Sequence, residues 1–199
     1  MSKKDNNVLD KHTRIINAAE KIFAKRGFHN SKVSEIAKEA DVADGTIYLY
    51  FKSKDDILIS LFEESMDEII QKLKSAIKDL SDPLEKLKSF IGVHLNLLKD
   101  NRYLAEVIQV ELRQSNKFMK EYENEKFQEY LYILSGILKE GQEKGIFDKE
   151  ILPGIFKRML FGALDEISTS WVLSKTKKYS IEECSKQVFK VFSKGILLK

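Results

Sequence analysis

Apolar residues recur at helical spacing from the first turns of the chain onward. The first apolar stripe comprises Ile15, Ile16, Ala19, Ile22 and Phe23. Its i, i+3 and i+4 spacing predicts an amphipathic helix that ends near Gly27. A second, short helix is predicted from an N-cap at Ser31 to Asp41, and a third over residues 43–51. Three such helices are enough for a small N-terminal domain.

The rest of the chain is also patterned as helices. A long helix is predicted from Ser53 to about Leu80. Further helices are predicted over residues 83–100, 102–114, 117–143, 153–174 and from residue 180 onward. Nine helices without a strand predict an all-α fold, with a three-helix domain over residues 1–52 and a helical bundle over residues 53–199. The last two helices are apolar on more than one side. One apolar stripe can pack against the core, and the other requires a partner.

Composition narrows the class of protein. The 9 glycines and 2 prolines among 199 residues disfavour a turn-rich β-sandwich, and a single cysteine excludes an internal disulfide. Because no apolar window could span a membrane and the first residues lack a signal peptide pattern, we expect a cytoplasmic protein with no membrane partner.

Charge is distributed unevenly along the chain. Residues 1–54 hold 11 Lys and Arg against 7 Asp and Glu, whereas residues 55–199 hold 23 Lys and Arg against 24 Asp and Glu. This distribution suggests a basic contact module on a near-neutral body, with a merely solvated N-terminal face as the alternative.

Residues 31–51 have the anatomy of a helix-turn-helix. Apolar Ile36, Ala37 and Ile47 are spaced to pack two short helices across a tight turn. Asp41 falls where the turn requires a left-handed backbone, which Asp tolerates better than most residues. On the outer face of the third helix, Gly45 would allow another backbone to come close, as a DNA groove requires.

Polar and small residues around this motif are candidates for DNA contact. The candidate DNA-binding residues are Ser31, Lys32, Ser34, Gly45, Thr46, Tyr48, Tyr50, Lys52 and Lys54. Backbone N–H groups at Ser31, the phenols of Tyr48 and Tyr50, and the lysines can bind phosphates. Thr46 can contact a thymine methyl group or a base edge. For the tyrosines the alternative is packing against the core, and for the lysines it is an ordinary solvated surface.

Two motifs carry a resemblance to a known family. Residues 36–42 have the pattern I-A-x-x-A-x-V, and residues 45–54 have the pattern G-T-x-Y-x-Y-F-x-S-K. In both, the chain resembles the DNA-binding domain of TetR-family transcriptional repressors. It departs from the family at Asp41, where Gly is usual, and at Ala43, where Ser or Thr usually caps the recognition helix. The resemblance implies a repressor that forms a homodimer through its last two helices and binds a double-stranded, near-palindromic operator.

Three separated segments, residues 42–66, 107–117 and 161–179, also resemble the branch of this family that represses fatty-acid degradation and is released by long-chain acyl-CoA. This resemblance implies a small-molecule effector, bound by the C-terminal domain, and no cofactor. The candidate ligand-binding residues are Val107, Val110, Arg113, Gln114, Lys117, Phe127, Leu131, Phe161, Leu164 and Trp171. The apolar members could line a cavity for an acyl chain, although plain core packing is the alternative for each of them. Arg113 and Lys117 could clamp CoA phosphates, or form an ordinary surface helix end.

Other interpretations of the sequence stay open. A repressor of the same type could sense a different hydrophobic molecule, for efflux or other metabolism, and would need no cationic groups at the mouth of its cavity. An enzyme is disfavoured because His12, His29 and His94 lie far apart in the sequence, and no nucleophile motif or phosphate-binding loop occurs. A helical adaptor that binds only proteins would show no operator binding with a steep salt dependence.

Overall fold

The computed structural model describes residues 3–176 and 178–198, with side chains from residue 11 onward within those ranges. Over these residues it contains ten α-helices and no β-strand beyond one isolated bridge between Phe147 and Leu197. The helices are α1 (Lys3–Arg26), α2 (Val33–Glu39), α3 (Asp44–Ile47), α4 (Lys54–Ile77), α5 (Pro83–Asp100), α6 (Arg102–Glu106), α7 (Asn116–Lys120), α8 (Glu125–Glu143), α9 (Pro153–Leu173) and α10 (Ile181–Ile196). The predicted all-α fold is confirmed.

The chain divides into two compact units. The first contains the residues up to Ser65 together with Arg102–Glu123, and the second contains Met66–Asn101 together with the residues from Asn124 onward. The compact units therefore do not follow the division at residue 52 that the sequence predicts, because α6 and α7 belong to the same unit as α1, α2 and α3. The functional division at residue 52 stays a prediction.

The first unit is built on a small apolar core. Phe23 of α1, Ile36 of α2 and Ile47 of α3 are buried, and α1 packs on α2, which packs on α3. The ring of Phe28, in the loop after α1, lies 5.5 Å from that of Phe23. Burial of these large apolar side chains, at about 1.5–3 kcal/mol each, is the main force that holds the three helices together.

The turn between α2 and α3 has the left-handed backbone that the sequence predicts, with φ of 53° at Asp41. Arg14 of α1 donates from Nη2 to the Asp41 carbonyl oxygen at 2.7 Å and to its carboxylate at 2.9 Å. Asp tolerates a positive φ less well than glycine, and these two hydrogen bonds offset part of the cost. The second of these bonds uses the aspartate side chain, which the usual glycine would lack.

Within the first unit, α6 continues without a break into a π-helical turn, Val107–Glu111, and then into a 3₁₀ turn, Leu112–Gln114. Both α6 and the π turn pack on α1. The prediction of one regular helix over residues 102–114 is therefore wrong. The π turn contains one additional residue but leaves the apolar spacing almost unchanged, so the sequence could not distinguish it from an α-helical turn.

The second unit is a helical bundle in which α5 packs against α8, α9 and α10. Its most deeply buried side chains include Leu87, Phe90, Leu134, Leu160 and Leu164. After α8 the chain reverses at Gly145, where φ is +69°, and Phe147 inserts its ring against Gly141. A Cβ atom on Gly141 would lie 2.0 Å from that buried ring, so only glycine fits. In the described part of the chain, no helix combines the length and the apolar character that crossing a membrane requires.

Three further predictions of local structure are wrong. The predicted helix over residues 117–143 is interrupted between Lys120 and Glu125, where the side chain of Asn124 accepts a hydrogen bond from a backbone N–H at 3.0 Å and caps α8. The third helix ends at Ile47 and continues only as a turn. Ser31 is not the N-cap of α2, because that position is taken by Lys32.

Candidate DNA-binding surface and effector-binding residues

The outer side of α3 and of the turn that follows it faces solvent. Tyr48 is 59% exposed and Leu49 is 81% exposed, whereas Ile47 and Phe51 are buried. This confirms the predicted orientation of the helix. Tyr50 is half-buried and makes an edge contact with a histidine ring of α1, so part of its side chain serves packing.

Five other candidate DNA-binding residues lie around this outer side. Lys32, Ser34, Gly45 and Lys52 are exposed, and Thr46 is half-buried. A Cβ atom on Gly45 would meet no atom within 4 Å, so glycine is not required there by the fold itself. An exposed glycine that costs helix stability without a packing reason is compatible with close approach by a ligand backbone. The contacts of these residues with DNA stay a prediction.

Two of the predicted phosphate-binding residues have a different role in the structure. Ser31 is buried, its hydroxyl donates to the Gly27 carbonyl oxygen at 2.7 Å, and its N–H donates to the Phe28 carbonyl oxygen at 3.3 Å. Lys54 donates from Nζ to the carbonyl oxygens of Phe28, His29 and Ser31, at 2.6, 3.2 and 3.0 Å. Both residues order the loop between α1 and α2, and their donors are used within the first unit, so a phosphate would have to compete with these carbonyl oxygens. Their contacts with DNA stay predictions.

Half of the candidate effector-binding residues belong to the first unit. Val107 is buried, Val110 is half-buried, and Arg113 and Gln114 are exposed. Lys117 donates from Nζ to a carboxylate oxygen of Asp56 at 2.5 Å. A CoA phosphate would have to compete with this carboxylate for the Lys117 ammonium.

The ion pair between Lys117 and Asp56 shifts the pKa values of both groups. The hydrogen bond from Lys117 holds the pKa of Asp56 below its usual value, against the opposing effect of partial burial. The same hydrogen bond raises the pKa of Lys117. Each partner therefore stays charged over a wider pH range than it would alone.

The other half of the candidate effector-binding residues belong to the second unit. Leu131 and Leu164 are buried in the core of the bundle. The rings of Phe127 and Phe161 meet edge to face with centroids 4.7 Å apart. Trp171 is half-buried on α9. These apolar groups from α8 and α9 surround the interior of the bundle, as both the acyl-chain and the core-packing hypotheses require.

A chain of hydrogen bonds runs through the same bundle. The Tyr130 hydroxyl lies 2.8 Å from Nδ1 of His94, and the Ser168 hydroxyl lies 3.4 Å from Nε2 of the same ring. Burial lowers the pKa of His94 to about 4 and raises that of the Tyr130 phenol, so both groups are neutral at physiological pH. Sequence reasoning did not assign His94 or Tyr130 to the site. A histidine within the apolar stripe of α5, one turn after Phe90, was the signal that could have identified the first of them.

The outward sides of α9 and α10 carry large apolar residues. In the second unit, Ile155, Met159 and Val191 are 56%, 61% and 66% exposed, and Leu152 and Leu198 near the helix ends are exposed as well. The predicted second apolar stripe on these helices is confirmed. Exposed apolar patches of this kind mark contact surfaces on soluble proteins.

A helix-turn-helix with an open recognition face, in a chain that also builds a separate helical bundle, defines a DNA-binding transcriptional regulator. Comparison with known sequences identifies the family. Residues 15–61 match the profile described as bacterial regulatory proteins, tetR family, and residues 62–195 match that of the YsiA-like protein C-terminal region. The chain belongs to the TetR family. It is a transcriptional regulator and not an enzyme.

Several relatives are similar over nearly the whole chain. The fatty acid metabolism regulator protein of Bacillus subtilis is 44% identical over 186 residues, which are 94% of this chain and 95% of the relative. The crystal structure of the B. subtilis regulator FadR in complex with stearoyl-CoA has a TM-score of 0.86 and 44% identity, covering 92% of this chain and 98% of that one. The fatty acid degradation regulator FadR of Bacillus halodurans has a TM-score of 0.86 at 43% identity, covering 93% of this chain and 95% of that one.

Proposed function

We propose that this protein represses genes of fatty-acid degradation and is released from its operator by a long-chain acyl-CoA bound in the C-terminal domain. The observation that carries the proposal is the 44% identity to a B. subtilis regulator that has been crystallised with stearoyl-CoA, with 92% of this chain aligned. At this identity and coverage, the helical bundle and the segments that enclose its interior are shared as well as the DNA-binding domain.

The chemical character of the second unit's interior supports the proposal of an acyl ligand. Its aromatic and aliphatic walls, which include Phe127, Phe161 and Leu164, suit a hydrocarbon chain. The hydrogen-bonded chain of Tyr130, His94 and Ser168 supplies neutral polar groups without placing a charge in the bundle. Neutral dipoles of this kind can orient a carbonyl group while leaving the surroundings apolar.

On the DNA side, we propose that Lys32, Ser34, Gly45 and Thr46 contact the operator together with Tyr48, Tyr50 and Lys52. The protein acts as a homodimer in the cytoplasm, with the apolar stripe of α9 and α10 as the contact between protomers. A twofold dimer presents two recognition helices to two half-sites, so the operator is a near-palindrome.

The effector hypothesis is tested by operator titration monitored by fluorescence anisotropy. With saturating stearoyl-CoA we expect operator affinity to fall about 5- to 150-fold, the range that a coupling of 1–3 kcal/mol gives. Free CoA and free stearate are the matched controls, since each carries only one part of the ligand. No response to any acyl-CoA would contradict the proposal, and a response to an unrelated hydrophobic compound alone would favour a regulator of efflux or other metabolism.

The DNA-contact hypothesis is tested with a glycine pair. Gly45→Ala meets no atom of the protein within 4 Å, so the fold should tolerate it, whereas the methyl group should hinder the approach of DNA and weaken operator binding. Gly136→Ala is the control, because Gly136 is also helical and open but lies in the second unit. Equal operator affinity for the two variants would exclude close approach of DNA at Gly45.

A further inference from the structure

The peptide unit of Phe28, in the loop that leads from α1 into the helix-turn-helix, is held from two sides. Its N–H donates to a carboxylate oxygen of Glu111 at 2.5 Å, and its carbonyl oxygen accepts from Lys54 Nζ at 2.6 Å. The Phe28 ring is also held, with Lys54 Nζ 4.5 Å from its centroid. Phe28 is buried, so the loop between α1 and α2 has one defined position as long as both contacts exist.

Glu111 is the last residue of the π-helical turn Val107–Glu111. A π turn contains one residue more than an α-helical turn, is less favourable, and occurs mostly at functional sites. If the turn reverted to α-helical geometry, the residues beyond it would move by about 1.5 Å along the axis and rotate by about 100°. A carboxylate at the end of the turn could not keep a 2.5 Å contact through such a change.

The π turn is flanked by two contacts with other parts of the first unit. Before it, Tyr103 of α6 has the ammonium group of Lys25 5.8 Å from its ring centroid. After it, Ser115 donates its hydroxyl to a carboxylate oxygen of Asp55 at 2.5 Å. The segment that contains the turn is covalently continuous with helices of the second unit at both ends, at residues 101–102 and 123–124. The segment that carries Glu111 is therefore, together with α4, a covalent connection between the two units.

We propose that Glu111 is a positioning residue for DNA binding. Its contact with the Phe28 N–H fixes the α1–α2 loop, and hence α2, in the conformation that binds the operator, and this contact is lost when effector binding changes the π turn. The second half of this statement rests on the proposed acyl-CoA response. The first half requires only that the protein binds DNA, as members of its family do.

The test uses the full-length protein and three variants. Glu111→Ala removes the acceptor, Glu111→Gln keeps an oxygen at the same reach without the charge, and Glu123→Ala removes an exposed carboxylate elsewhere in the same segment. Operator affinity is measured with and without stearoyl-CoA. We expect Glu111→Ala to bind the operator about ten- to a hundredfold more weakly without effector, as loss of a charge-assisted hydrogen bond implies, with little change when effector is present. Glu111→Gln should fall between Glu111→Ala and the wild type, and Glu123→Ala should match the wild type.

The ratio of the two affinities distinguishes a positioning role from a merely structural one. If Glu111 holds the loop in both states, the Glu111→Ala variant loses affinity equally with and without stearoyl-CoA, the ratio keeps its wild-type value, and the proposed loss of contact is overturned. Glu111→Ala binding as tightly as the wild type without effector would overturn the positioning role itself. If Glu111→Ala does not fold by circular dichroism, the same comparison is made with Glu111→Gln.

A second measurement separates this proposal from the effector hypothesis. Exchange of the Phe28 amide hydrogen, followed by NMR, should be slow in the wild type and in Glu123→Ala and faster in Glu111→Ala. A wild type that ignores stearoyl-CoA would contradict the effector hypothesis alone. Unchanged exchange at Phe28 in Glu111→Ala would contradict the role of Glu111, whatever the effector is.

Discussion

Lys54 and Lys52 lie two residues apart in the sequence but have different roles in the structure. Lys54 donates to three carbonyl oxygens of the α1–α2 loop, whereas the side chain of Lys52 is exposed. We therefore expect Lys54→Met to destabilise the first unit, and Lys52→Met to leave its stability within about 0.5 kcal/mol, as is usual for surface substitutions.

The size of the Lys54 effect follows from its partners. The Phe28 carbonyl oxygen keeps the Ser31 N–H as a second donor at 3.3 Å. The carbonyl of the buried residue Ser31 loses the lysine, and a buried acceptor left without a donor costs about 1–3 kcal/mol. The carbonyl of His29 belongs to an exposed residue, so water can replace the lysine there. Loss of the contact with the Phe28 ring adds about 0.5–1 kcal/mol. Since methionine retains most of the apolar stem, we expect a loss of about 3 kcal/mol in the free energy of unfolding.

Two assays separate the lysines. Urea unfolding followed by circular dichroism, with hydrogen exchange over residues 28–47 to isolate the first unit, measures stability. The slope of log affinity for the operator against log salt concentration counts phosphate contacts, and each lost contact lowers it by about 0.9, hence about 1.8 for two protomers. We expect Lys52→Met to lower the slope and Lys54→Met to leave it unchanged. A Lys54→Met protein of normal stability with a reduced salt slope would refute this reasoning.

Three further outcomes are expected. Met159→Lys should shift the protein from dimer to monomer in sedimentation velocity, because it places a charge on the exposed apolar stripe of α9. Met119→Lys, at a position of similar exposure in the first unit, should leave the dimer intact. A dimeric Met159→Lys protein would contradict the proposed interface. Gly141→Ala should lower the free energy of unfolding by about 3 kcal/mol through overpacking. Gly136→Ala, on the same helix with open space, should raise it by about 0.5–1 kcal/mol. Thermal unfolding compares the two variants, and a Gly141→Ala protein more stable than Gly136→Ala would contradict this prediction. The pKa of Asp56 is lowered in the folded protein, so the stabilisation from its pairing with Lys117 is complete above the ordinary aspartate pKa of 3.8 and disappears as pH falls below it. The urea midpoints of Asp56→Asn and of the wild type should therefore differ less at pH 2 than at pH 6. An equal difference at the two pH values would contradict the assignment.

The helix-turn-helix is the part of the fold that the sequence predicts best, because local patterns determine it. The left-handed turn at Asp41 and the buried position of Ile47 follow from spacing and backbone preference, and the structure confirms them. The break before α8 was also accessible from the sequence, since Asn124 precedes an apolar stripe as an N-cap does.

Other features depend on contacts between residues far apart in the chain. Lys54 and Ser31 look like phosphate-binding residues in sequence, and only the folded loop shows that their donors are already used. The partner of Lys117 lies 61 residues away at Asp56, and no spacing rule predicts such a pairing. The π turn that ends at Glu111 leaves the apolar pattern of a regular helix almost unchanged.

The tie between Arg14 and Asp41 bears on how repression-defective mutations would be distributed along the gene. A glycine at this position would adopt the positive φ without strain, so the turn would not need a contact with the first helix to offset that cost. Here Arg14, 27 positions upstream, donates two hydrogen bonds to Asp41 in addition to the backbone hydrogen bonds within the turn. A genetic screen should therefore recover Arg14 substitutions with a DNA-binding defect although they lie outside the helix-turn-helix, and a second-site change of Asp41 to glycine should suppress them.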